Sequence, residues 1–365
     1  MWCRFGGTSK QWSQDTRCEN NTAIPEPRTV GIVLLVATVA AVEVTWTHQF
    51  GPAVSVQVQG DFAKAIDVSA DSSGNVYLMG RVGGAFEGFD NDFTGMEDGF
   101  IRKYDGNGNE LWTRQFGPQG QTTATSDVVL DQAGNQYVVG STNGTLPGQT
   151  YAGQGDAFVI KYDSNGNLVW TRQFGTVDYD RNSAIALGPD GNIYIVGETN
   201  GTLSSQTSTG GQDGYLRKYD VVGNEVWTRQ FGTTGLDLAR GVASDSAGNV
   251  YVAGRTTGVF SGQSTAGGGD ATVLSFDSEG NRRWTHQFGT AGSDSAVGIA
   301  VIASSVFVVG NTSGTLPGQN SGGGSDTFLR RYDISGNEVW TEQFGSSSDD
   351  DSRAVHAGMA GVFTV

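Results

Sequence analysis

Short apolar runs separated by glycine-rich polar turns recur along most of the chain. In one representative stretch the runs are residues 183–186, 193–196, 215–219 and 225–231. They are rich in β-branched and aromatic residues and are bounded by Gly, Asn and Asp, as strands usually are. No part of the repeated region has the sustained 3.6-residue apolar period of a helix. The pattern therefore predicts an all-β protein.

The same group of four runs is repeated at a nearly constant interval. The sequence Trp-Thr-x-Gln-Phe-Gly occurs six times, and consecutive copies begin 66, 58, 57, 57 and 56 residues apart. The copies begin at Trp46, Trp112, Trp170, Trp227, Trp284 and Trp340. Four strands (a to d) in a unit of this length, repeated around a ring, predict a β-propeller. A β-solenoid is the alternative, although its coils are usually shorter.

The repeat divides the chain into two regions. Residues 1–43 do not fit it, and residues 44–365 are expected to form the propeller domain. We expect four-stranded antiparallel blades, with five complete repeats plus an incomplete sixth. Strand d of the sixth lies at residues 44–50, and its strands a and b lie at the C-terminus. Either the chain is truncated relative to a complete propeller, or a six-position ring closes imperfectly.

Two kinds of connection alternate between the strands. Short turns such as 163–167 join strands c and d, and similar turns such as 245–249 join strands a and b. Their Asp can accept hydrogen bonds from nearby backbone amides, and their Gly supplies a positive φ. Because adjacent strands are antiparallel, both short turns lie on one face of the ring. The longer b–c and d–a loops then form the opposite face, here called the long-loop face, where function usually resides.

Composition excludes several classes of function. The chain has 365 residues, and its 22 Lys and Arg against 38 Asp and Glu give a net charge of −16. An acidic chain repels phosphate backbones, so we expect no nucleic-acid partner. Cys3 and Cys18 are too few for a disulfide scaffold, and three histidines leave little room for a His-based metal site.

The repeat resembles a known family. The resemblance rests on Asp156-Ala157-Phe158-Val159-Ile160-Lys161-Tyr162-Asp163, on Gly166-Asn167 and on Trp170-Thr171-Arg172-Gln173-Phe174-Gly175, with their repeated copies. These residues are similar to the SBBP (seven-bladed beta-propeller) repeat of bacterial proteins, over roughly residues 44–365. The resemblance implies the propeller fold and an exported or surface location. It implies no catalytic residues.

An uncharged apolar run lies before the repeats, at residues 31–42. Twelve residues are short for a membrane span, which needs about 20. The run suits the core of a signal peptide, with Arg28 before it. Alternatively, residues 32–38 supply the missing strand c of the sixth blade. Export through this segment would give an extracellular or cell-surface location, with membrane contact only through the segment.

One repeated carboxylate suggests a metal. On the long-loop face, Asp180, Asp237, Asp294 and Asp350 each precede strand a. A ring of such oxygen ligands near the channel mouth would suit Ca²⁺, the one cofactor that the sequence suggests. The alternative is that each aspartate caps its own loop through hydrogen bonds.

The first b–c loop differs from the later ones. It carries Phe86, Glu87, Phe89, Asp90 and Asp92, where later copies carry Gly, Ser, Thr and Gln. Exposed aromatics among polar groups are typical of recognition surfaces, so these residues are predicted to bind a ligand. The alternative is that the phenylalanines fold back and cap the first blade.

These observations favour a non-catalytic, exported or cell-surface scaffold, expected to be monomeric, that binds a protein or a carbohydrate. A polysaccharide-active lyase or hydrolase is one alternative, and a Ca²⁺-stabilised structural surface protein is another. An enzyme should break the repeat symmetry with one charged loop cluster, whereas similar loops favour a binding protein. The repeated tryptophans are expected to be largely buried between blades.

Overall fold

The protein is described by a computed structural model, which covers residues 62–86, 97–358 and 361–364. Within these ranges every helix or strand is a β-strand, so the all-β prediction is confirmed. Twenty strands form five antiparallel sheets, each made of four strands consecutive in the chain. A further pair forms a two-stranded sheet. The described part of the chain contains no helix with the length and hydropathy of a membrane span.

The strands occupy four repeated positions. Strand a is β1 (Phe62–Ala70), β5 (Thr123–Leu130), β9 (Asp180–Leu187), β13 (Asp237–Ser244), β17 (Asp294–Ile302) and β21 (Val355–Gly358). Strand b is β2 (Val76–Gly83), β6 (Gln136–Thr142), β10 (Ile193–Thr199), β14 (Val250–Thr256), β18 (Ser305–Thr312) and β22 (Gly361–Thr364). Strand c is β3 (Glu97–Tyr104), β7 (Asp156–Tyr162), β11 (Asp213–Tyr219), β15 (Asp270–Phe276) and β19 (Asp326–Asp333). Strand d is β4 (Glu110–Phe116), β8 (Leu168–Phe174), β12 (Glu225–Phe231), β16 (Arg282–Phe288) and β20 (Glu338–Phe344).

Each sheet is a propeller blade. The a strands of successive sheets contact one another from β1 to β21, so they form the inner wall of the ring. Strands b and c are buried almost throughout, as in β10 and β11, because neighbouring blades cover both of their faces. This double coverage explains why apolar and polar residues alternate imperfectly in the sequence. β21 and β22 occupy the a and b positions of a sixth blade, of which the described residues include these two strands.

Strand d is the outer edge of each blade, which corrects the expectation for the tryptophans. The tryptophan of every described strand d is only partly buried. One side of the Trp170 ring lies against Tyr137 of strand b in the same blade, with ring centroids 6.0 Å apart. The ring also lies against Gly223 in the next blade, where an added Cβ would lie 2.9 Å from the indole. The remaining surface is exposed because no further strand covers the outer edge.

The predicted segments before the first blade lie outside the described residues. They include the apolar run at residues 31–42, both interpretations of it, and the strand d expected at residues 44–50.

Candidate functional site

The b–c loops of the long-loop face are anchored to their blades by the glutamine of the repeated motif. In one blade the amide nitrogen of Gln230 donates to the Gly201 carbonyl (3.0 Å) and to Asp213 Oδ2 (2.8 Å). Its Oε1 accepts from the Leu203 backbone N–H at 2.9 Å. The same three contacts are made in all five complete blades. The glutamines are Gln115, Gln173, Gln230, Gln287 and Gln343.

One buried apolar side chain completes each anchor. The residues concerned are Phe86, Leu146, Leu203, Phe260 and Leu316. In the four later loops the residues on either side of the anchor are exposed, as Thr145 and Pro147 are around Leu146. Each of these four loops therefore has a fixed base and an exposed tip.

Phe86 is part of this framework, as in the alternative in which the phenylalanine folds back onto the first blade. It is 3% exposed and packs edge-to-face on Phe100, with ring centroids 5.1 Å apart. The Arg102 guanidinium lies 4.5 Å from the centre of its ring. Its backbone N–H donates to Gln115 Oε1, as Leu146 does to Gln173, so it folds back as the anchor of the first loop.

The other residues predicted in that loop are Glu87, Phe89, Asp90 and Asp92. They lie outside the described residues. Their role in ligand binding stays a prediction.

The aspartates at the start of strand a cap their own loops; Asp180, Asp237 and Asp294 are the first residues of β9, β13 and β17. Asp237 Oδ2 accepts from the Thr233 backbone N–H (2.6 Å) and from its hydroxyl (2.9 Å). The same two bonds are made by the other three predicted residues, Asp180, Asp294 and Asp350, to the residue four positions earlier. Such bonds hold each d–a loop as it enters the inner strand.

A second carboxylate lies beside each of these caps. A Cβ added at Gly175 would lie 2.6 Å from Asp156 Oδ1 and 2.9 Å from Asp180 Oδ2, so only glycine fits between the two carboxylates. Burial raises the pKa of Asp180, against hydrogen bonds from Thr199 and Thr176, and the charge of Asp156 raises it further. Among the described residues no group of three His, Cys, Asp or Glu could hold a metal ion. The four predicted aspartates occupy separate junctions between blades, and Ca²⁺ binding by them stays a prediction.

A central channel runs between the inner strands, with a cavity of about 660 Å³. In each complete blade, strand a bulges at one residue that has no partner on strand b. These residues all line the channel, together with Arg353 from the sixth position. The bulge residues are Ile66, Ser126, Ser183, Arg240 and Val297. Because a bulge turns a side chain out of the regular pleat, it gives each blade one residue facing the channel.

Three arginines gather at the mouth of this channel. Arg181, Arg240 and Arg353 line a cavity of about 430 Å³ there. Arg181 forms an ion pair with Glu198, which is 1% exposed. Burial lowers the pKa of Arg240; Glu198 opposes this effect, and the nearby positive charge of Arg181 adds to it. Strand a begins at the d–a loop, so Arg181, its second residue, places the mouth on the long-loop face.

Reasoning from the sequence missed this cluster. The sequence feature that could have revealed it is the position three residues after each strand-a aspartate. This position is occupied by Ser183, Arg240, Val297 and Arg353 in successive repeats. The framework residues are nearly identical from blade to blade, whereas this position varies. Variation inside a constant framework is typical of residues that face a ligand rather than a core.

Comparison with known proteins supports the repeat. The SBBP family model, described as a beta-propeller repeat, matches residues 111–147, 169–203 and 226–261. The regulatory protein FlaEY of Caulobacter vibrioides is 29% identical over 211 residues, which are 52% of this chain and 22% of that protein. A WD repeat-containing protein of Acanthamoeba polyphaga mimivirus is 24% identical over 131 residues, which are 31% of this chain and 9% of that protein. The chain thus spans less than a quarter of the length of either relative.

Among solved structures, the chain is similar to the beta-propeller domain of the Trilobed protease from Pyrococcus furiosus. The two share 9% sequence identity with a TM-score of 0.46, over 84% of this chain and 78% of that one.

Proposed function

Because the repeats of this chain belong to the SBBP beta-propeller family, we propose that the protein is a non-catalytic binding scaffold. It is exported or displayed at the cell surface, is monomeric, and holds a protein or glycan partner on its long-loop face. The name of FlaEY describes that protein as regulatory. A regulatory role for this chain would use the same face.

The observation that carries the proposal is the repeated anchoring of the b–c loops. One glutamine that donates two hydrogen bonds and accepts a third, together with one buried apolar side chain, fixes the base of each loop, as with Gln173 and Leu146. Because the base of the loop is already fixed, the loop loses less conformational entropy when its tip contacts a partner than a wholly flexible loop would. A face built of five such loops is suited to binding.

The exposed tips supply the chemistry for contact. Around the buried anchors they present threonine, serine and asparagine, which offer hydroxyl and amide groups for hydrogen bonds, together with proline. The d–a loops of the same face add apolar side chains, with Val177 74% exposed and Leu236 50% exposed. Polar groups mixed with a few apolar contacts are usual at non-obligate interfaces.

A comparison of two matched variants tests this function on a glycan array and against candidate protein ligands. The long-loop variant carries Thr145→Gln, Thr202→Gln, Val259→Gln and Thr315→Gln, all at the exposed residue before the anchor. The hairpin variant carries Asn165→Gln, Val222→Gln, Glu279→Gln and Ser335→Gln, all at the third residue of a c–d turn.

We expect the long-loop variant to lose binding and the hairpin variant to bind as wild type. Both should melt within a few degrees of wild type, because every substituted side chain is exposed. Loss of binding in the hairpin variant alone would contradict the proposal.

A further inference from the structure

We propose that the mouth of the central channel binds a sugar acid, a ligand with one carboxylate and several hydroxyl groups, between Arg181, Arg240 and Arg353. The inference deepens the proposed function and rests on it, since the mouth opens on the long-loop face. It depends on the arginines of the inner strands rather than on the loop tips.

The charge of the mouth is opposite to that of the protein. The whole chain carries a net charge of −16, yet three guanidinium groups meet at this one cavity. Arg181 is paired with Glu198. In the part of the chain that the structure describes, Arg240 and Arg353 have no ion pair. A carboxylate between them would offset the positive charge of the mouth and accept charge-assisted hydrogen bonds from both.

The size and lining of the mouth suit a monosaccharide. Its volume of about 430 Å³ falls in the range of roughly 300–1,000 Å³ that is typical of small-molecule sites. Ser126 and Ser183 line it with hydroxyl groups, and Ser183 Oγ donates to Glu198 Oε2 at 3.0 Å, which leaves its lone pairs free to accept. Ile66 and Val297 add two apolar side chains that can contact the C–H groups of a sugar ring.

The remaining surface disfavours a larger anion. A polyanion would have to approach a chain whose overall charge is strongly negative, and this repulsion grows with the charge of the ligand. A ligand with a single carboxylate is repelled only weakly. We therefore infer a sugar acid rather than a polyphosphate.

The repeat itself supplies substitutions that preserve the fold. Arg240 stands at the bulge position, where two sister blades carry Ser126 and Ser183. Arg353 stands at the corresponding sequence position, three residues after Asp350. Arg240→Ser and Arg353→Ser therefore place a residue that this backbone already accepts. Arg283→Val is the matched control, because it also removes one positive charge. It lies on an outer strand where sister blades carry Val169, Val226 and Val339.

Isothermal titration calorimetry with galacturonate, at low ionic strength, tests the inference on the whole chain. We expect saturable binding to wild type and to Arg283→Val. Arg240→Ser and Arg353→Ser should each weaken binding by about tenfold or more, the usual loss when one charge-assisted hydrogen bond is removed. Glucose, which lacks the carboxylate, should bind at least about tenfold more weakly than galacturonate.

Three results would overturn the inference: no heat of binding with galacturonate, equal binding by wild type and both serine variants, or equal affinity for acetate, phosphate and galacturonate. If galacturonate fails to bind while the long-loop variant loses its partner on the array, only this inference is wrong. If the long-loop variant keeps its partner, the proposed function is wrong, whatever the arginines bind.

Discussion

At the scale of single residues, two constraints favour glycine in the c–d turns: a positive φ and a close contact with a tryptophan of the preceding blade. Gly223 has a φ of +84°, which favours glycine, and it also lies against the indole of Trp170 from the preceding blade. Gly166 and Gly280 meet Trp112 and Trp227 in the same way. A side chain at any of these positions would strain the turn and separate two blades.

Comparing Gly223→Ala with Gly74→Ala separates these two constraints. Gly74 has a φ of +79°, and an added Cβ would meet nothing within 4 Å. We expect Gly74→Ala to lower the free energy of unfolding by about 1 kcal/mol through backbone strain alone. Gly223→Ala should lower it by about 3 kcal/mol, because overpacking is added to strain. Urea denaturation measures both, and equal losses would show that the Trp170 contact contributes nothing.

A buried carboxylate makes stability depend on pH. Burial raises the pKa of Asp98 to about 6, despite a hydrogen bond from Gln115. Between pH 7 and pH 5 the folded state therefore takes up a proton that the unfolded state does not, and the free energy of unfolding rises as the pH falls. Asp98→Asn should reduce this rise, measured as the urea midpoint at pH 7 and pH 5. A variant with the same rise as wild type would contradict the assignment to Asp98.

Exposed turn aspartates act in the opposite direction at lower pH. Hydrogen bonds from the side chain and backbone of Asn167 lower the pKa of Asp163. Turns of this kind therefore stabilise the protein above the ordinary aspartate pKa and lose that stabilisation as the pH falls further. The comparison for Asp98 is for this reason made at pH 5 and above.

At the scale of elements, strand d joins each blade to the next. Besides the indole contact, Arg172 Nε donates to the Gly223 carbonyl at 2.6 Å. Arg229 makes the equivalent bond to Gly280 at 2.9 Å. The repeated motif therefore supplies one junction for each blade that has a described neighbour after it.

Trp340 offers a control for the value of that junction. Its ring packs on Phe307 of its own blade, at 6.2 Å between centroids, and no c–d turn follows it among the described residues. We expect Trp170→Ala to lower the free energy of unfolding by about 2–3 kcal/mol, below the usual cost for a fully buried aromatic because the indole is partly exposed. Trp340→Ala should cost less. Equal losses in thermal or urea denaturation would argue against packing between blades.

The sequence predicts the bounds of the strands better than the burial and contacts of the side chains on them. The sequence predicts strand d at residues 225–231, which are the bounds of β12, because aromatic and β-branched residues and the turn before it mark both ends. The partial exposure of Trp170 was not predictable, because it depends on which strand lies at the outer edge. The sequence leaves open whether Phe86 is exposed or folds back, because its unusual neighbours hide its equivalence to Leu146, which the shared contact with the motif glutamine reveals.

At the scale of the whole molecule, the residues that hold the blades and loops together are repeated, whereas the residues that line the channel vary. The junctions and loop anchors are nearly the same in every blade, whereas the bulge residues on the channel differ. A repeat visible in the sequence therefore predicts the framework. The arginine cluster was not predictable in the same way, because Arg181, Arg240 and Arg353 are far apart in the chain and meet only where the inner strands surround the channel.

Hydrogen exchange with and without the ligand that the array selects tests the central claim, which is binding through the long-loop face. We expect slower exchange at residues 143–155, 200–212, 257–269 and 313–325 when the ligand is present, and no change in the turns at residues 163–167, 220–224 and 277–281. Slower exchange confined to those turns, or to the outer strands, would contradict the account.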